Sequence, residues 1–364
     1  MKVAFYAPLK SPLHPTPSGD RSMARQLMAC LGSFSEVSLA TEFRSLEKKG
    51  DPEQQQRLID LGRGEARDFI EKAKAANKIP DLWFTYHLYY KAPDLIGPVV
   101  ARELGIPYVA AEASRAPKRA NGPWKRFHER AEEAIDQAKI IFHLTMRDLE
   151  CLEQSKPLNQ KLVYLPPFVE LPEQVQVKNK NKEQVKLITI AMMRSGDKLA
   201  SYELLAQSLE ALELENWTLD VIGGGPAAAQ VLDLLSPFGN RVTFHGQINS
   251  PKKKADLLSA ADIFVWPGIN EAFGLVYLEA QAEGLPIVAA KVAGVPEVVA
   301  DNCTGLLAEH PTAEKLSQKI EQMISNETLR AQLSANARHY VNDKHSTDKA
   351  TQILRDNLKE LVSG

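Results

Sequence analysis

Pro267-Gly-Ile-Asn-Glu-Ala-Phe-Gly-Leu-Val-Tyr-Leu-Glu279 is the stretch that decides how this chain is read. Ahead of it, Asp262-Ile-Phe-Val-Trp266 is a short apolar run of strand type, stopped by Pro267 and Gly268. Behind it, Leu275, Val276, Leu278, Ala280 and Ala282 recur at helical spacing until Gly284 and Pro286 end the pattern. Glu271 therefore falls in a strand-to-helix loop, and the amides of Phe273, Gly274 and Leu275 are free donors at a helix start. Such a start attracts anions, and Gly274 has no side chain to keep a phosphate from the backbone. Glu279 follows two turns later, where a carboxylate can accept both hydroxyls of a ribose. Two acids near a helix start are often only solvated surface groups. Combined with the amides, they describe a pocket for a nucleotide sugar diphosphate.

Working outward, Ala280-Gln-Ala-Glu-Gly-Leu-Pro-Ile-Val-Ala-Ala290, Gly294-Val-Pro-Glu-Val-Val299 and Thr304-Gly-Leu-Leu307 extend the pattern. With them the chain resembles the donor domain of retaining family-4 glycosyltransferases of the GT-B fold, over most of residues 186–330 and more weakly over 1–165. The resemblance implies an α/β protein of two Rossmann-like doubly wound domains facing across a cleft. It also implies transfer of a hexose, with retention, from a nucleoside-diphosphate sugar (a UDP-sugar favoured). Glu271 would face the transferred sugar and Glu279 the nucleotide ribose. Arg241 to Ile248, with Gln247, resembles the segment whose backbone reads the base. A GT-B sugar-nucleotide epimerase or hydrolase is the alternative of another class.

Val185 to Ala191 reads as the strand that opens this domain, and Arg194 and Lys198 follow at its C-terminal end. A diphosphate that becomes a leaving group needs positive charge. The chain has no Asp-x-Asp metal motif, so these two side chains are the expected metal-free counter-ions. The same pair occupies this position in the family; read without it, both are ordinary surface residues. No cofactor and no metal site are expected beyond the nucleotide sugar as co-substrate. The glycine turn Gly223-Gly-Gly-Pro226 lacks the full dinucleotide pattern and is a weak signal alone.

The N-terminal half alternates strands and helices in the manner of a parallel sheet. Lys2 to Ala7 is a strand, followed by a proline-rich loop and a helix opened by Gly19. The family carries a Gly-Gly pair here; in Ser18-Gly19-Asp20 only Gly19 is retained. Asp20 serves either as the helix cap or at the acceptor. Residues 44–78 read as a solvated helix. Pro80 to Tyr90 is a strand ending in His87, which is either packed or in contact with the acceptor. After the strand Gly105 to Ala111, the family's histidine position falls at Ala113, so Glu112 or His87 would take its role. The expected domains are 1–167 for the acceptor and 185–342 for the donor, with a C-terminal helix (346–364) packing back onto the first. Residues 167–184 read as the linker, and its Pro166-Pro167-Phe168 replaces the family's Pro-Asn-Gly.

Six of the sixteen residues 115–130 are Arg115, Lys118, Arg119, Lys125, Arg126 and Arg130, interleaved with Trp124 and Phe127. Three readings stand: a solvated helix start, an anionic membrane surface gripped by cations and aromatic anchors, or an anionic acceptor. The net charge of −2 argues against a nucleic-acid binder. The acceptor expected first is a membrane lipid such as diacylglycerol, and second a polysaccharide or lipid-linked saccharide. Three cysteines without metal spacing, no signal-type N-terminus and no apolar run near 20 residues suggest a cytoplasmic protein, peripheral on the inner face of the membrane.

Overall fold

The computed structural model describes residues 1–172 and 184–363. The Lys178–Lys182 run assigned to the linker lies outside them. The chain divides into two compact units, Met1–Pro166 with Thr347–Gly364, and Pro167–Ser346.

The first unit runs β1 (Lys2–Tyr6), α1 (Gly19–Gly32), β2 (Glu36–Leu39), α2 (Pro52–Ala75), β3 (Leu82–Leu88), α3 (Gly97–Leu104), β4 (Tyr108–Ala113), α4 (Lys125–Gln137), β5 (Ile140–His143), α5 (Met146–Glu153) and β6 (Lys161–Tyr164). Its six strands are all parallel, in the order β2-β1-β3-β4-β5-β6. The central strands are mostly apolar because helices cover both faces; β3 and β4 are buried along almost their whole length. Asp94 ties this layer together. Its buried carboxylate accepts from Trp83, Thr85 and Tyr108 and from the amides of Ile96 and Gly97.

The expected helix over 44–78 is shorter and less solvated than its composition suggests. It starts at Pro52, where Asp51 caps the amides of Glu53 and Gln54. Gln55, Leu58, Ile59, Gly62 and Ala66 are buried on one face. The short edge strand β2 carries no long apolar run, and its residues are at most half-buried.

The second unit runs β7 (Val185–Ile190), α6 (Asp197–Glu210), β8 (Trp217–Ile222), α7 (Ala228–Leu235), β9 (Val242–Gly246), α8 (Pro251–Ala260), β10 (Ile263–Val265), α9 (Leu275–Ala282), β11 (Ile287–Ala290), α10 (Val295–Val298), β12 (Gly305–Ala308), α11 (Ala313–Ser325) and α12 (Glu327–Lys344). These six strands are also parallel, in the order β12-β11-β10-β7-β8-β9. The last helix, α13 (Thr347–Ser363), lies against α1 in the first unit, where Cys30 Sγ meets Thr347 O, and its Glu360 pairs with Lys161 of β6. Among the described residues no helix is long and apolar enough to cross a membrane.

Candidate functional site

In the second unit the loop from Pro267 to Gly274 is shaped by its backbone. Gly268, Asn270 and Gly274 adopt left-handed φ of 72°, 52° and 75°. A Cβ on Gly274 would sit 2.7 Å from the Tyr277 ring, and one on Gly294 only 1.5 Å from Ala272 O. Both glycines are therefore demanded by close approach. The loop is pinned by Ile269 N donating to Ser201 Oγ at 3.0 Å and Gly294 N donating to Glu271 O at 3.1 Å. Among the described residues none accepts from the amides of Phe273, Gly274 or Leu275. They remain available at the start of α9, as its sequence requires.

Lys198, in the first turn of α6, forms an ion pair with Glu271 and lies over the Trp266 ring at 5.5 Å. Both charged side chains are 18% exposed, so the pair is mostly removed from water but reachable. Arg194 stands exposed in the loop before α6. That loop is fastened to the glycine turn, with Met193 N donating to Gly224 O at 2.9 Å and Ala227 N to Met193 O at 3.0 Å. Glu279 pairs with Lys254 of α8 at 2.8 Å. Sequence reasoning passed over Lys254, since nothing in Lys252-Lys-Lys254 distinguishes one lysine from the next. Gln247 is exposed and bonds only its neighbour Asn249 among the described residues.

In the first unit the ends of β3 and β4 and the start of α1 gather a second group. Ser18, not Asp20, caps α1 by accepting from Arg21 N. Asp20 is thereby released, and its Oδ1 lies 3.2 Å from His87 Nδ1. Glu112 Oε1 stands 3.5 Å from the same nitrogen. His87 and Glu112 are both non-glycine residues at left-handed φ, 62° and 55°, strain of a kind that collects at working sites. A Cβ on Gly19 would meet nothing within 4 Å, so the space beside it is open. Ala113 is wholly buried in the core, and Glu112 is the residue of that strand end that meets His87.

Burial alone would lower the His87 imidazole, but the charge of Glu112 and the hydrogen bond and charge of Asp20 outweigh it and push it up to about 9. Burial raises Glu112 to about 7, with the His87 charge opposing. Burial also works against the Asp20 carboxylate, yet its bond to His87 holds it below its ordinary value. At neutral pH His87 is thus an imidazolium with no base to offer, whereas Glu112 is poised to take a proton. Asp148, which accepts from Ser114 and from Thr145, adds negative charge nearby. Its partners are far apart in the chain, so no sequence pattern announces it.

The raised His87 value gives stability that is complete below about pH 6.5 and lost as pH climbs through about 9. The raised Glu112 value likewise costs stability between about pH 4.5 and 7. Stability, and with it the unfolding temperature, is therefore expected to fall from pH 6 to pH 9, by on the order of 3–4 kcal/mol. The double variant His87→Gln/Glu112→Gln should flatten that slope; thermal unfolding showing the wild-type slope unchanged in the variant would refute the assignment.

The basic segment differs most from its expected form. Arg115 is buried, its guanidinium held by Glu132 and Asp136 of α4 and by Ser155 O at 3.2 Å. Trp124 is 7% exposed against Tyr90, and Phe127 is fully buried with Leu58, Ile59 and Leu95. Neither ring is available as a membrane anchor, and Arg115 is not a surface cation. Lys118, Arg119, Lys125 and Arg126 remain exposed; Arg119 lies over Tyr90, and Arg126 donates to Pro52 O.

The order and direction of both sheets are shared with known structures. The chain superposes on sucrose-phosphate synthase from Thermosynechococcus elongatus with a TM-score of 0.74 at 19% identity, covering 100% of this chain and 99% of that one. Anabaena HepE, solved with UDP, gives 0.72 at 15% identity, covering 99% and 100%. These likenesses establish the fold, GT-B, with two parallel-sheet α/β domains of six strands each. Residues 173–340 match the family model of Glycosyl transferases group 1. The lipopolysaccharide glucosyltransferase WaaG of Escherichia coli is 25% identical over 302 residues, 78% of this chain and 76% of its own. A D-inositol 3-phosphate glycosyltransferase of Corynebacterium aurimucosum is 38% identical over 103 residues, 28% of this chain and 24% of its own. Across the first three curated relatives, the matched stretch spans 24%, 39% and 34% of the relative's length. The family match falls within the second unit, and the structural likenesses concern the fold.

Proposed function

We propose that the protein is a hexosyltransferase that takes its sugar from a nucleoside-diphosphate donor, UDP-linked, with retention and without a metal ion. The observation that carries this reading is the Lys198–Glu271 pair beside the free amides of Phe273, Gly274 and Leu275. Diphosphate entering this place would meet the amides, Lys198 and Arg194, and release Glu271 to the sugar hydroxyls. Those donors are already in position, so charge developing on the leaving group is met without reorganisation. Glu279 and Lys254 would hold the ribose end. In the first unit Glu112, supported by His87 and Asp20, is the group suited to accept a hydroxyl proton.

For the acceptor, a membrane lipid such as diacylglycerol and a saccharide are the two readings. Burial of Trp124 and Phe127 removes the anchors that favoured the lipid. The lipopolysaccharide glucosyltransferase among the relatives supports the saccharide. Incubation with UDP-, GDP- and ADP-hexoses plus either total lipid or saccharide extracts, followed by mass spectrometry, tests both. A hexose-bearing product is expected only with an acceptor present; a converted donor without one would indicate an epimerase or hydrolase.

A cytoplasmic protein gathered at the inner membrane face by charge alone is the matching proposal for location. Binding to anionic vesicles is then expected to weaken from about 0.1 M to 1 M salt, as the Debye length shrinks from about 10 Å to 3 Å. Lys125→Glu/Arg126→Glu should abolish it and leave donor affinity unchanged. Equal sedimentation of both proteins with vesicles would retire the surface role of this segment.

A further inference from the structure

We infer that His245 is a positioning residue for the nucleotide end of the donor site, acting through a bulged strand edge; this rests on the donor reading above. Pairing between β8 and β9 runs Leu219–Val242, Asp220–Thr243 and Val221–Phe244, then jumps to Ile222–Gly246. His245 is the extra residue. A bulge bends its strand and re-aims the inserted side chain, and such features gather beside active sites. β9 lies at the edge of its sheet, with a strand neighbour, β8, on one side alone.

What it holds is a buried carboxylate. His245 Nε2 lies 3.0 Å from Asp220 Oδ1, and Lys186 Nζ lies 2.8 Å from Asp220 Oδ2. The three side chains thus link β9, β8 and β7 in one line. Asp220 is 4% exposed, a setting in which an unpaired carboxylate is costly. The His245 contact is short without the angle of a straight hydrogen bond.

The residues just past the bulge are those that meet the glycine turn. Gly246, at φ 65°, accepts from Gly223 N at 3.0 Å. A side chain on Gly224 would begin 3.5 Å from Gln247 Cβ. Gly223 and Gly225 admit no side chain, since a Cβ would stand 2.0 Å from Ala191 O and 2.3 Å from Met193 O. The turn in turn fastens the loop carrying Arg194. Bulge, glycine turn and diphosphate loop are therefore one continuous backbone surface. Moving the bulge displaces Gln247 and the carbonyl of Gly246, groups suited to read the edge of a planar base.

The test compares wild type, His245→Ala, His245→Gln and Asp220→Asn as full chains, titrated by calorimetry with UDP, GDP and ADP. His245→Ala is expected to weaken the preferred nucleotide about tenfold and to narrow the preference among bases. In turnover, KM for the donor should rise with kcat within about twofold, the pattern of lost ground-state binding. His245→Gln, which keeps a donor towards Asp220, should recover most of the affinity, and Asp220→Asn should resemble His245→Ala. Unchanged affinity and base preference in His245→Ala would overturn the inference, as would equal losses in Tm, kcat and affinity. A wild type that binds none of the three nucleotides would overturn the donor reading itself, and this inference with it.

Discussion

Replacing Lys198 with alanine is expected to lower turnover about 10²–10³-fold, the scale for removing one preorganised stabiliser of developing charge. Lys198 is held by Glu271 and set over the Trp266 ring, so it is ordered before a ligand arrives. Its loss also leaves the Glu271 carboxylate unopposed beside the place where a diphosphate would lie, which adds repulsion to lost attraction. Arg194→Ala should fall in the same range, although Arg194 is exposed and pays more to become ordered. Turnover measured under saturating donor in EDTA decides the point. Full activity in either variant, or activity only with a divalent cation, would contradict metal-free stabilisation of the leaving group.

The two glutamates of the opening stretch should separate cleanly in kinetics. Glu271→Gln keeps shape but removes the charge proposed to face the transferred sugar, so kcat should drop by about 10²-fold with little change in KM. Glu279→Gln breaks the contact with Lys254 on the side proposed for the ribose, which would not react. It should raise donor KM about tenfold and leave kcat nearly unchanged. The reverse pattern would mean that the two carboxylates have each other's roles.

Much of this was legible in the chain because the deciding signals are local. Ile263 to Val265 followed by Pro267 and Gly268 reads as a strand and its stop, and α9 ends where Gly284 takes φ 75°. Arg194 and Lys198 follow an apolar strand directly, so their place beside a sheet end needs no long-range knowledge. What stayed hidden depends on distant partners. Arg115 looks like a surface cation until Glu132 and Asp136 come round on α4 to bury it. Trp124 and Phe127 sit at positions where a surface and a core aromatic look alike, and Tyr90, Leu58 and Leu95 decide between them. Asp20 looks like a helix cap because Ser18, two residues earlier, could not be ranked above it. Its release to His87, and the meeting of His87 with Glu112, joins the ends of three separate elements. The bulge at His245 is a matter of register, which no single strand reveals.

The central claim is that the second unit holds a nucleoside diphosphate through Arg194, Lys198 and the amides of the Phe273–Leu275 turn. Calorimetric titration of UDP into the full chain in EDTA tests it most directly, with Arg194→Ala/Lys198→Ala as the comparison. One site per chain is expected, with affinity reduced about 100-fold or more in the double variant. No binding to the wild type, or the same affinity in both proteins, would contradict it.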